Sequence, residues 1–147
     1  MRSPRTYNEW VNSISRFQSG ENDQETLDAM CSGYLEWQVG VADRFTKRLT
    51  EAAVDRIQKA VDQFQVNFSR TAGTESAIVQ SILNLRKELK VIESFMNLPI
   101  LPEDTRGELI HLVQSQRDQI QKSLEDSAKS DRTGKLMSLV RNNRVNR

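Results

Sequence analysis

The chain has 147 residues, 37% hydrophobic and 28% charged, with 6 glycines, 3 prolines and a formal net charge of +1. That length predicts one domain able to bury roughly 70% of the surface its unfolded form exposes, and the apolar share excludes a chain disordered throughout. The single cysteine, Cys31, excludes an intramolecular disulfide, and no apolar run approaches the ~20 residues a bilayer span requires.

The basic start, Met1-Arg2-Ser3-Pro4-Arg5-Thr6, is not followed by the apolar core of a secretory signal, so the expected location is cytoplasmic. Trp10, Val11, Ile14 and Phe17 then recur at spacings of three and four, which predicts a helix from residue 7 to about 18. Gly20 can supply its left-handed C-terminal cap, and Asn22 or Asp23 can accept from the free amides of the next helix.

A second helical pattern runs from about 24 to 70. Its inward stripe reads Leu27, Cys31, Tyr34, Val41, Phe45, Leu49, Ala53, Ile57, Ala60 or Val61, Phe64 and Phe68. Gly33 and Gly40 each cost about 1 kcal/mol relative to alanine inside a helix, so a break is expected between them. The remainder, 41 to 70, is a rod of ~45 Å at 1.5 Å per residue.

Gly73 and Thr74 read as the end of that rod and the cap of the next helix, 75 to 97, where Ile78, Ile82, Leu85, Leu89, Ile92 and Met96 keep a heptad rhythm. Leu98-Pro99-Ile100-Leu101 is a proline-stopped connection. Pro102-Glu103-Asp104 opens a helix to about 127, with Leu109, Val113, Ile120 and Leu124 facing inward. No segment alternates with the period of a strand. The fold expected is all-α: an antiparallel bundle of about four helices with one long rod, or else a coiled-coil dimer.

Charge divides the chain. Residues 129–147 hold six of the 21 basic side chains and one of the 20 acidic ones, leaving 15 and 19 before Lys129. The expected organisation is a helical body, 1–128, and a flexible basic tail, 129–147, carrying a short amphipathic segment over 135–141.

Candidate chemistry is sparse. Glu108 and His111 share a helix face, but a dimetal bundle site needs a second such pair and further carboxylates, and the chain has one histidine. Cys31 and His111 lie far apart for a nucleophile and its base, and Cys31 falls on the inward stripe. Thr133-Gly134-Lys135 lacks the upstream glycine and the strand of a phosphate loop. The carboxylates Glu36, Asp43, Glu51, Asp55 and Asp62 interleave with Arg44, Lys47, Arg48, Arg56 and Lys59, the pattern of a solvated, salt-bridged face. No catalytic residue, metal ligand or cofactor is therefore expected.

The remaining reading is a non-enzymatic protein–protein interaction module of adaptor, chaperone or regulatory type, self-associating as a dimer. Its contact residues would be Tyr34 and Trp37 in the glycine-flanked break, and Leu136, Met137, Leu139 and Val140 in the terminal segment. The alternative is a nucleic-acid-associated regulator meeting phosphates, or an acidic partner, through Lys129, Arg132, Lys135, Arg141, Arg144 and Arg147, and a metal-binding or enzymatic bundle comes third.

Overall fold

Thr6 starts the first helix: its hydroxyl accepts from the Glu9 amide at 3.2 Å, satisfying one of the donors that a helix N-terminus leaves open. In the computed structural model of the chain, which describes residues 2–36, 40–70 and 74–147, this helix is α1, Tyr7–Ser19. It is followed by α2 (Asp23–Cys31), α3 (Val41–Arg70), α4 (Glu75–Met96), α5 (Glu103–Ala128) and α6 (Lys135–Asn142). Every regular element among the described residues is helical.

The chain forms two compact units, Met1–Gln58 with Val91–Ile110, and Lys59–Lys90 with His111–Arg147. In the first, Trp10, Ile14 and Phe17 of α1 are buried, as their spacing predicts. Phe45 and Leu49 of α3 and Ile92, Phe95 and Met96 of α4 are also fully withdrawn from water. Trp10 stands edge-on to Phe45 with centroids 5.3 Å apart, and Phe17 lies 4.4 Å from Phe95. Each such side chain contributes about 1.5–3 kcal/mol of burial free energy.

Contacts at both ends of α1 set the path. Tyr34, just past α2, bonds back to Pro4 before α1, whereas Asp23 at the start of α2 lies with Arg56 and Phe17 at the other end. α2 therefore runs antiparallel to α1. Trp10 meets Phe45 while Gln18 meets Asp55, so α1 and the first half of α3 point the same way.

Gly20 caps α1 at φ 77°, its amide donating to the Arg16 and Phe17 carbonyls. The cap expected of Asn22 or Asp23 is absent: no side-chain bond closes the start of α2. Asp23 turns instead to Arg56, which is buried rather than part of a solvated face. The inward stripe also changes in α2. Thr26, Ala29 and Met30 are buried, Leu27 is half-buried, and Cys31 and Tyr34 are exposed. One continuous stripe cannot run through both helices, because the non-helical residues 33–36 after α2 break the rotational phase.

In the second unit the α4 seam residues Ile78, Ile82, Leu85 and Leu89 are buried within the single chain. Phe64 and Phe68 of α3 stack at 5.5 Å. On α5, Val113 is buried as expected, but Ile120 and Leu124 are only half-buried, and Arg117, Gln121 and Ala128 share the inward face. Gln121 faces inward because the tail packs there. It donates to the Val140 carbonyl at 3.3 Å and accepts from the Val145 amide at 3.1 Å. Val140 and Val145 are 1% and 0% exposed, so this stretch is not the solvated terminus its composition suggests.

No helix among the described residues is long and apolar enough to cross a membrane.

Candidate functional site

The break after α2 is held at three points, all in the first unit. The Gly33 amide donates to the Met30 carbonyl at 3.1 Å, closing the end of α2. The Tyr34 amide donates to the Pro4 carbonyl at 2.9 Å. The Trp10 indole Nε1 donates to the Tyr34 carbonyl, also at 2.9 Å. Both backbone polar groups of Tyr34 are thus engaged, one by a buried aromatic ring that is itself fixed by Phe45.

Gly33 is required by the close packing of this corner. A Cβ at that position would lie 2.6 Å from Trp10 Cζ2 and 2.9 Å from the Pro4 carbonyl oxygen. Leu35 next to it is 6% exposed and Tyr34 is 61% exposed. The chain enters with Gly33, turns the Tyr34 ring to solvent, and re-enters with Leu35. Among the described residues the other exposed large apolar side chains are Val54, Val66 and Leu83, each less exposed than Tyr34. Trp37, the other aromatic anchor expected here, lies outside the described residues.

Cys31 sits three residues before Tyr34 and is exposed, which corrects its expected place on the inward stripe. Desolvation of the thiol, and to a lesser degree the Asp28 carboxylate, push its pKa up from the usual 9.0. Both effects disfavour the thiolate, the reactive form of cysteine.

The terminal segment doubles back along α5. Gln114 and Asp118 bond Asn146, Gln121 bonds Val140 and Val145, and Glu125 bonds Arg141, an antiparallel succession. Asp131 shapes the turn: its carboxylate accepts from the Leu136 amide, the Thr133 hydroxyl and the Thr133 amide. These bonds, helped by nearby Lys135, hold the Asp131 carboxyl below its usual value. Of the apolar contact residues expected here, Val140 is spent on packing, while Leu136, Met137 and Leu139 are half-buried.

Three of the six tail cations have partners within the chain: Lys129 pairs with Asp126, Arg141 with Glu125, and Arg144 donates to the Asn146 side chain. Arg132, Lys135 and Arg147 are exposed. Glu108 and His111 are exposed too, and among the described residues no group of three histidine, cysteine or carboxylate side chains is placed to hold a metal ion.

Tyr34 belongs to the first unit and the terminal segment to the second. Sequence reasoning missed the pairing of Pro4 and Trp10 with Tyr34, which joins residues 24 to 30 positions apart; the only local signal was Gly33 beside an aromatic residue. No protein-family model, curated protein sequence or solved structure matches the chain.

Proposed function

We propose that this protein is a non-enzymatic helical interaction module that docks another protein on the corner built around Tyr34. One observation carries the reading. Tyr34, 61% exposed, stands on a backbone held on both sides by hydrogen bonds. An exposed aromatic side chain on a rigid frame loses little conformational entropy on binding, and tyrosine is among the residues that dominate interface energetics. A protein partner is preferred to nucleic acid because three of the six tail cations are already engaged within the chain. The bundle requires no second copy to cover its heptad seam, since Ile78 to Leu89 are covered in the single chain.

Replacing Tyr34 by a photo-crosslinking phenylalanine derivative in cells tests the proposal, with the exposed Ser15 on α1 as the control position. A discrete adduct of defined mass formed from position 34 and absent from position 15 is the expected result. Equal labelling at both positions, or none at position 34, would overturn it. Tyr34→Ala should leave stability within about 0.5 kcal/mol, as for other surface changes, so loss of the partner would reflect the surface and not the fold.

A further inference from the structure

The first two turns of α3 carry Arg44, Lys47 and Arg48 at the spacing that places side chains on one helix face, with Glu51 one turn further on. All four are exposed. Together with Tyr7 of α1 they line a cleft of about 250 Å³ in the first unit. Arg44 lies over the Tyr7 ring with its guanidinium carbon 5.6 Å from the centroid, so one wall is an aromatic face and one cation is already oriented on it.

Arg56, Lys129 and Arg141 are held in ion pairs, but among the described residues no ion pair joins Arg44, Lys47 or Arg48 to Glu51, to Asp43 or to any other carboxylate. Three side-chain cations line this cleft against one lining carboxylate. The spacing that reads in sequence as a salt-bridged face is a cleft with a surplus of positive charge.

We propose that this cleft binds a phosphate dianion, either free or as the head of a small monoester. The volume lies below the range of drug-sized pockets, so the occupant is a single compact charged group with little attached to it. Guanidinium groups present paired donors matched to phosphate oxygens, and the lysine adds a mobile point charge. Three cations and Glu51 leave the lining with two net positive charges, which a dianion balances, and Glu51 disfavours any more negative ligand. This site is separate from the protein-docking reading of Tyr34 and does not depend on it.

Titration of the isotope-labelled full chain, followed by amide NMR shifts at fixed ionic strength, provides the test. The probes are inorganic phosphate and glycerol 3-phosphate, with chloride as the control. Saturable shifts at Tyr7 and residues 44–51 are expected with at least one phosphate probe, and which one saturates identifies the free or the esterified source. Arg48→Gln should weaken binding about tenfold, the loss of one charge-assisted contact. Glu51→Gln should tighten it roughly threefold by removing the opposing charge. Both positions are exposed, and unchanged shifts elsewhere in the spectrum report an intact fold. Shifts that do not saturate, shifts that chloride reproduces, or an affinity that changes in the same direction in both variants would overturn the proposal.

Discussion

Arg56 and Asp23 meet through two parallel bonds, Nη1 to Oδ1 at 2.8 Å and Nη2 to Oδ2 at 2.7 Å, while Nη1 also donates to the Phe17 carbonyl at 2.9 Å. The Arg56 side chain is 5% exposed and that of Asp23 is 27% exposed. One guanidinium thus ties the end of α1, the start of α2 and the middle of α3. Arg56→Met keeps the unbranched aliphatic stem but removes the guanidinium, leaving the half-buried Asp23 carboxylate without its partner and the Phe17 carbonyl with only the Gly20 amide. It should cost about 3 kcal/mol, the lower end for breaking a buried pair because Asp23 still reaches water. Urea unfolding measures this, and a loss under about 1 kcal/mol would show the tie to be incidental. Arg56→Lys should not restore stability, since a lysine cannot make the two-pronged contact.

Two glycines should respond oppositely to the same change. At Gly33 an added methyl group meets Trp10 at 2.6 Å and the Pro4 carbonyl at 2.9 Å, and a backbone atom cannot swing aside. Gly33→Ala should destabilise by about 1–3 kcal/mol, the cost of overpacking. Gly107 lies inside α5 with nothing within 4 Å of its would-be Cβ. Gly107→Ala should stabilise by up to about 1 kcal/mol, the difference in helix propensity. Melting temperatures of the two variants measured together check both signs.

Cys31 should be a slow nucleophile despite its exposure. Its pKa is raised, so the neutral thiol persists to higher pH than in an ordinary cysteine. Alkylation by iodoacetamide should accelerate with pH and reach half its limiting rate above pH 9.0. Asp28→Asn should bring that midpoint down modestly, because desolvation is the larger cause. A midpoint below the usual value would contradict this account.

The anchor of α6 should be insensitive to pH except in acid. Asp131 has a folded-state pKa below its usual 3.8, so the stability it contributes is fully present above that value. The contribution fades as pH falls from 3.8 through the depressed folded-state pKa. Protection of the Leu136 and Ser138 amides, relative to their intrinsic exchange rates, should therefore hold at pH 5 and fall only below about pH 4. In Asp131→Asn the acid step should vanish at these amides. Opening between pH 5 and 7 would assign the anchor to another group.

The helices themselves were legible because three-and-four spacing survives wherever one face packs continuously, as from Phe45 to Ile57 and from Ile78 to Met96. The interruption between α2 and α3 was legible from Gly33 and Gly40. Its consequence for Cys31 was not, because a stripe can be extended across a break only if the break preserves helical phase. Gln121 and Arg56 illustrate the larger gap. Both look like solvated helix residues in sequence, and each is buried because a distant segment, Val140 with Val145 or Asp23 with Phe17, supplies the partner that makes burial tolerable. Tyr34 could be nominated as an aromatic beside a glycine, but its exposure depends on Pro4 and Trp10, which no local pattern links to it.

The bond from Trp10 to the Tyr34 carbonyl also gives the molecule a built-in optical readout. The Trp10 indole is fully shielded from water, and its one polar group is committed to the corner that displays Tyr34. With Trp37 replaced by phenylalanine, emission from Trp10 alone would register any strain placed on that corner. A ligand that pulls the Tyr34 backbone outward would shift the spectrum to the red, whereas one that rests on the ring without moving the backbone would leave it unchanged. A single fluorescence trace would then distinguish a rigid docking event from one that remodels the corner, with no label attached to either protein.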